Sequence, residues 1–300
     1  MTDRPFVSVI VPVYNDPVGI RRCLEALDDQ TYPDNRYEVL VVDNGSTDDT
    51  RKVIREFGDM TLLVEDDVQG SYAARNEGIR HAGGDILGFT DEDCTPDSDW
   101  IEAGVDTMES QAADLVGGRV IFEFSKKRTA AERFDASVNM RNDESTTHGV
   151  AKTANVFVRR SVINDIGLFP SHLPSGGDVH WTELATNAGY TLVYGPEAVV
   201  RHPSRQLQEL LQKQYRVGKG QVQVWRLADR PAAWILLSRL VVFPLNVAQF
   251  VFRRDRENDT PVNETPPDRD VDKTVSVVAV AGLCILAMTL GRIAELMSSS

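Results

Sequence analysis

Along the first ninety residues, apolar and mixed stretches alternate. Residues 7–13, 37–42, 60–64 and 85–90 are short runs rich in Val, Ile, Leu and Phe bounded by turn formers, which predicts four strands. Helical segments lie between them. Asp16 can cap a helix with Pro17 in its first position, and the pattern continues to Gln30. Asn44-Gly45-Ser46 makes a turn, Ser46 or Thr47 caps the next helix, and Asp48 and Asp49 sit near its positive end, with apolar positions running on to Phe57. A third helix opens near Ser71 and stops at Gly83-Gly84. This alternation predicts an α/β fold with a mostly parallel sheet flanked by helices, in which ligands meet the carboxyl ends of strands.

Beyond residue 100 the spacing is looser. A helix at 100–112, strands at 115–122 and 154–158, a short helix at 161–166, a helix opening near Asp178 and a short strand ending at His202 are expected, while the polar stretch 126–148 fits no template. The last third changes character. Residues 206–226 have apolar positions at helical spacing with Lys213, Arg216, Lys219 and Arg226 between them, a basic amphipathic helix suited to an anionic membrane or to closing an active site. Residues 232–252 are almost wholly apolar apart from Arg239, and 274–291 carry no charge, close to the span that a bilayer core of about 30 Å requires. The expected division is a catalytic domain at 1–204, the basic helix at 205–230, and a membrane-associated tail at 231–300 with apolar segments 232–252 and 274–291.

Composition narrows the function. With 42% apolar and 26% charged residues among 300, the chain is neither disordered nor a disulfide-stapled scaffold. Its net charge of −13 argues against a nucleic-acid partner, which requires an electropositive face. Asp outnumbers Glu and Arg outnumbers Lys, a strongly hydrated surface that suits high salt and a haloarchaeal source, with an ordinary acidic mesophilic enzyme as the alternative. Cys23, Cys94 and Cys284 show no metal-ligand or disulfide spacing, in keeping with a reducing compartment, and residues 1–5 carry no apolar signal core.

The chemistry lies at the strand ends. Pro12-Val13-Tyr14-Asn15, Asp43-Asn44-Gly45-Ser46 and Asp91-Glu92-Asp93 follow the first, second and fourth strands and converge on one cleft. A carboxylate at Asp43 can accept from a base imide, and Asp91 with Asp93 can hold a hard divalent cation against a diphosphate. Val9-Ile10-Val11-Pro12-Val13-Tyr14-Asn15, Val41-Val42-Asp43-Asn44-Gly45-Ser46-Thr47-Asp48, Ala73-Ala74-Arg75-Asn76-Glu77-Gly78 and Thr90-Asp91-Glu92-Asp93 resemble family 2 glycosyltransferases of the GT-A fold, with further matches at Asn155-Val156-Phe157, Ile166-Gly167-Leu168-Phe169 and Gly176-Gly177-Asp178. The resemblance spans residues 7–202.

The resemblance implies transfer, with inversion, of a hexose or hexuronic acid from a nucleotide-sugar donor, a UDP-sugar, with Mn2+ or Mg2+. It places Pro12 and Tyr14 around the uracil, Asp43 on the base, Arg75 near base or diphosphate, Asp91 at ribose and metal, and Asp93 on the metal. His202 matches a late metal-ligating His of some members. The general base is the Asp of a Glu-Asp pair that here reads Gly177-Asp178. Asp178 also suits a helix N-cap. On the acceptor side, Trp181 offers a face on which a sugar could stack, and His180 is acceptor-lining or structural. With the apolar tail, these features imply a polyprenyl- or dolichyl-phosphate-linked saccharide as acceptor, at the cell membrane, with the catalytic domain facing the cytoplasm. A processive polysaccharide synthase is a second reading, which Gln221 to Arg226 matches only faintly against Gln-x-x-Arg-Trp. A catalytically silent membrane scaffold is a third, opposed by the intact Asp43, Asp91, Asp93 and Asp178.

Overall fold

A computed structural model describes residues 4–227 and 271–298. The chain forms two compact units. One comprises Met1–Glu123, Met140–Leu173 and Gly177–Pro203, and the other Phe124–Asn139, Pro174–Gly176 and Ser204–Ser300.

The first unit is built on an eight-stranded sheet ordered β3-β2-β1-β4-β7-β6-β8-β5. Its strands are β1 (Val7–Val13), β2 (Tyr37–Asp43), β3 (Thr61–Val64), β4 (Ile86–Thr90), β5 (Thr95–Pro96), β6 (Leu115–Glu123), β7 (Asn155–Arg159) and β8 (Leu192–Pro203). The central β1 and β4 are buried at every position, which explains their largely apolar runs. β1 to β4 pair in parallel, as the alternation predicts. The sheet is mixed, however, because β7 enters antiparallel between β4 and β6, and β5 lies antiparallel on β8. Asn155, the first residue of β7, is fully buried and locks this insertion. Its Nδ2 donates to the carbonyls of Arg119 and Ala198 at 2.8 Å, and its Oδ1 accepts from Trp100 Nε1 at 2.9 Å.

Helices α1 (Pro17–Asp28), α2 (Thr50–Ile54), α3 (Ser71–His81), α4 (Trp100–Ser110), α5 (Ala130–Val138), α6 (Asn142–Ser145), α7 (Arg160–Ile166) and α8 (Gly177–Asn187) complete the order up to β8. Asp16 caps α1 as expected, accepting from Gly19 N at 2.8 Å. α2 is shorter than its apolar spacing suggested, and Ser46 and Thr47 do not cap it. Both bind the preceding loop instead: Asn15 N donates to Ser46 Oγ at 2.9 Å, and Thr47 N donates to Asn15 Oδ1 at 2.8 Å. Asn15 reaches them from a positive φ of 51°, which an Asn tolerates better than most residues. The loops after β1 and β2 are thereby zipped together at the carboxyl edge of the sheet.

In the second unit, the part of the stretch 126–148 up to Asn139 carries α5, which Thr129 and Glu132 start as a reciprocal capping box. Buried Glu132 also accepts from Ser125 N at 2.8 Å and Thr129 N at 2.6 Å; these bonds outweigh burial and pull its pKa down to about 2. α9 (Leu207–Leu227) and α10 (Val271–Met297) pack closely where glycines remove side-chain bulk. A Cβ on Gly218 would lie 2.0 Å from the Met288 carbonyl oxygen, and one on Gly291 2.1 Å from that of Tyr215. Leu210, Gln214, Gly218, Val222 and Trp225 form the buried face of α9, so its amphipathic pattern is realised by packing. Within α10, residues 276–297 are long and apolar enough to cross a membrane, with mean hydropathy 2.1. The apolar segment 232–252 lies outside the described residues.

Candidate active site

Each strand-end carboxylate has a different set of partners. Asp43 ends β2 fully buried. Its Oδ2 accepts from Ser46 N at 3.1 Å and from Arg51 Nε at 2.6 Å, while its Oδ1 is buried and makes no hydrogen bond among the described residues. Pro12 is buried beside it in β1, paired through the register Val13 to Asp43, and Tyr14 is half exposed just beyond. Asn44 ties this edge to the next loop: its Nδ2 donates to the carbonyls of Glu65 and Val68, and its Oδ1 accepts from Gly70 N at 2.5 Å. That bond anchors the start of α3.

α3 carries two site residues one turn apart. Buried Arg75 donates through Nη2 to Asp91 Oδ1, lies 5.7 Å over the Tyr72 ring, and keeps a buried Nε with no partner among the described residues. Tyr72 donates its phenol proton to Asp178 Oδ1 at 3.0 Å and accepts from Gly177 N at 2.9 Å. Burial and the Asp178 charge hold that phenol far above the usual tyrosine range, so it stays protonated and donating. Asp178 Oδ1 also accepts from Val179 N at 2.9 Å, and Oδ2 takes a longer bond from Thr153 N at 3.3 Å. Asp178 thus sits inside the first turn of α8, with Oδ2 the less occupied oxygen. Lys152 is a neighbour that sequence reasoning missed. Burial lowers its pKa, and the Asp178 carboxylate opposes that shift.

Tyr72 also explains the departure at Gly177. A Cβ there would lie 2.8 Å from Tyr72 Cε2, so the space that a glutamate side chain would enter is filled by the phenol ring.

β5 positions the third carboxylate. Thr95 pairs with Arg201 on β8, which sets Asp93, two residues earlier, beside the buried His202. His202 Nε2 is 3.5 Å from Asp93 Oδ2, and its Nδ1 lies 2.6 Å from the Pro203 carbonyl. The imidazole and the carboxylate thus face one another as a donor pair of the kind that a divalent cation binds. Asp93, Cys94 and His202 offer ligand atoms within 4.8 Å of one another. The Cys94 thiol is pushed well above its ordinary range by burial, then by Asp93 and Asp91, so it is the poorest donor of the three. Burial, then Asp93 and Asp91, push Glu92 up to about 8. The donor set of carboxylate and imidazole therefore fits Mn2+ or Mg2+, the former better.

On the acceptor side the outcome divides. Trp181 is 1% exposed, its Nε1 donates to the Gly167 carbonyl at 2.7 Å, and its ring packs 5.0 Å from that of Phe169. Its faces belong to the core, so the expected sugar stacking there is corrected. His180 is half-buried, with its pKa lowered by burial. Asn76 holds the Gly167-Leu168-Phe169 loop with paired bonds to Phe169 N and O at 3.0 and 2.8 Å, which accounts for two motif matches as scaffold.

Residues 8–167 match glycosyl transferase family 2, and the chain belongs to that family. It is 46% identical to glycosyltransferase AglE of Haloferax volcanii over 98% of this chain and 97% of that protein. Over 42% of each chain it is 31% identical to a dolichyl N-acetyl-alpha-D-glucosaminyl phosphate 3-beta-D-2,3-diacetamido-2,3-dideoxy-beta-D-glucuronosyltransferase of Methanococcus voltae. Its fold is shared with a mannosyltransferase of Pyrobaculum calidifontis solved with GDP-Man and Mn2+, with TM-score 0.68, 21% identity, and coverage of 100% of this chain and 89% of that one. The chain is a glycosyltransferase.

Gly177→Ala is expected to lower stability by about 1–3 kcal/mol, read from the denaturant midpoint, and a second change, Tyr72→Leu, to recover part of that loss. Strictly additive losses would contradict the packing account of Gly177.

Proposed function

We propose that the enzyme transfers a single hexose or hexuronic acid, with inversion, from a UDP-sugar to a polyprenyl- or dolichyl-phosphate-linked saccharide in glycan assembly. The observation that carries this reading is that three carboxylates at one sheet edge are each held by a different residue, Asp43 by Arg51, Asp91 by Arg75 and Asp93 by His202, as environment-set roles require. Asp43 keeps one buried oxygen open for the base, with Pro12 and Tyr14 beside it. Arg75, already bound to Asp91, has a spare Nε–H for the ribose or diphosphate. Asp93 and His202 would hold Mn2+ or Mg2+, with Asp91 near them, and the cation would supply neutralisation of the leaving diphosphate.

Asp178 acts as general base. Tyr72 and Val179 N occupy its Oδ1, which leaves Oδ2, held only by the longer Thr153 N bond, to take the proton of the acceptor hydroxyl as that oxygen attacks the anomeric carbon. Single in-line displacement needs this base on the acceptor side and charge neutralisation at the leaving group. His180 stands on the same helix as Asp178 and is the remaining acceptor-side residue. The lipid-linked acceptor is supported by the M. voltae relative, a transferase acting on a dolichyl N-acetyl-alpha-D-glucosaminyl phosphate, and by the apolar α10.

Residues 1–204 are the catalytic domain in this reading, 205–230 the basic helix and 231–300 the membrane-associated tail, with catalysis on the cytoplasmic face where nucleotide sugars are made. Exposed Val278, Leu283, Leu286, Leu290 and Ile293 on α10 suit lipid. Single addition is favoured over processive synthesis because the segment resembling Gln-x-x-Arg-Trp is engaged in helix packing. Gln221 accepts from Arg292 at 2.6 Å, and Trp225 lies under the same guanidinium, 5.5 Å away.

Asp178→Asn is expected to cut transfer by roughly 10²–10⁴ while UDP-sugar affinity holds, and Asp93→Ala to lose more than about tenfold in kcat together with metal dependence. Donor affinity falling in step with rate for Asp178→Asn contradicts the base role, and metal-dependent turnover surviving in Asp93→Ala contradicts the cation role. For the tail, the full chain should float with liposomes, and Leu286→Glu with Leu290→Glu should shift it toward the soluble fraction. An unchanged flotation profile in that double variant rules out α10 as the lipid-facing element.

A further inference from the structure

The base-binding role of Asp43 leaves open which base is bound, and the fold does not decide it, since the P. calidifontis neighbour was solved with GDP-Man. Two donors converge on one oxygen of Asp43. Ser46 N and Arg51 Nε both bind Oδ2, at 3.1 and 2.6 Å, which uses the two lone pairs that oxygen offers in the carboxylate plane. Arg51 is itself held from the other side, its Nη2 donating to Asp66 Oδ1 at 2.9 Å. With the guanidinium spanning two carboxylates, Oδ2 cannot turn toward a ligand. Oδ1 is left buried and unpartnered, and a buried carboxylate oxygen of that kind carries a desolvation cost until a donor reaches it.

We propose that Arg51 is a positioning residue that sets the donor's base: by filling one oxygen of Asp43 with the Ser46 amide, it leaves a single acceptor that suits the lone imide N–H of uracil and not the paired N–H donors of guanine. Guanine presents two parallel donors on one edge, and a carboxylate satisfies both only with both of its oxygens open. Cytosine presents a ring-nitrogen lone pair where uracil presents its N–H, so Oδ1 repels it whether or not Arg51 is present. The discrimination is the kind that buried polar groups give when a ligand leaves them unpaired. Arg51 carries no part of a recognised motif, and its role rests on the reading of Asp43 as the base-binding group.

The test is calorimetric titration of the full-length protein, with Mn2+, using UDP, GDP and CDP as probes. The wild type should bind UDP at least tenfold more tightly than GDP or CDP. Arg51→Met, which keeps bulk and removes the donors, should narrow the UDP-to-GDP ratio about tenfold while the UDP-to-CDP ratio stays within twofold. Asp66→Ala, at an exposed position that leaves the core intact, should narrow the UDP-to-GDP ratio in the same direction by two- to threefold. Arg51→Lys should restore part of the discrimination. A UDP-to-GDP ratio unchanged in both Arg51→Met and Asp66→Ala overturns the inference, as does a uniform loss for all three nucleotides, the mark of a merely structural arginine. A wild type that binds GDP as tightly as UDP overturns the uridine reading itself.

Discussion

Tyr72 and Arg75, one helical turn apart on α3, each hold a carboxylate of the site, Asp178 and Asp91 respectively. Most of the active-site architecture follows from keeping that helix fixed. Its amino end is tied by Asn44 through Gly70 N, and its middle by Asn76 through the backbone of Phe169. Gly177 is a glycine because the phenol ring occupies the place of its side chain. The charges are costly to bury, and each is tolerated because a donor or an opposite charge lies within hydrogen-bond distance.

The second constraint is the return of β8 to the sheet. Pairing of Arg201 with Thr95 brings His202 to Asp93, although 109 positions separate the latter two in the sequence. A two-residue strand is a slight element, yet it sets the geometry of the Asp93–His202 pair. The Asp97 carboxylate reinforces it, accepting from Arg201 Nε at 2.9 Å.

What was legible in the sequence follows the range of the interactions. The four-strand alternation, the Asp16 cap and the carboxylates at strand ends were readable because each is a local pattern. The antiparallel insertion of β7 was not, since strand pairing between distant segments leaves no local mark. The helix after residue 129 carried a readable signal, Thr129 with Glu132, within a stretch too polar to suggest packing. Tyr72 and Arg51 were missed because their importance lies in what they hold, Asp178 and Asp43, and neither belongs to a motif. Trp181 was misread as a sugar platform. An aromatic ring alone suggested a stacking face, while the helix turns it into the core against Phe169.

In the proposed reaction, one displacement has Asp178 take a proton on one side of the sugar as the diphosphate leaves on the other. That geometry fixes the stereochemistry of the product. The most direct measurement is the anomeric configuration by proton NMR of the glycan formed from an α-linked UDP-sugar: the account predicts a β-linked product, and an α-linked product would contradict it.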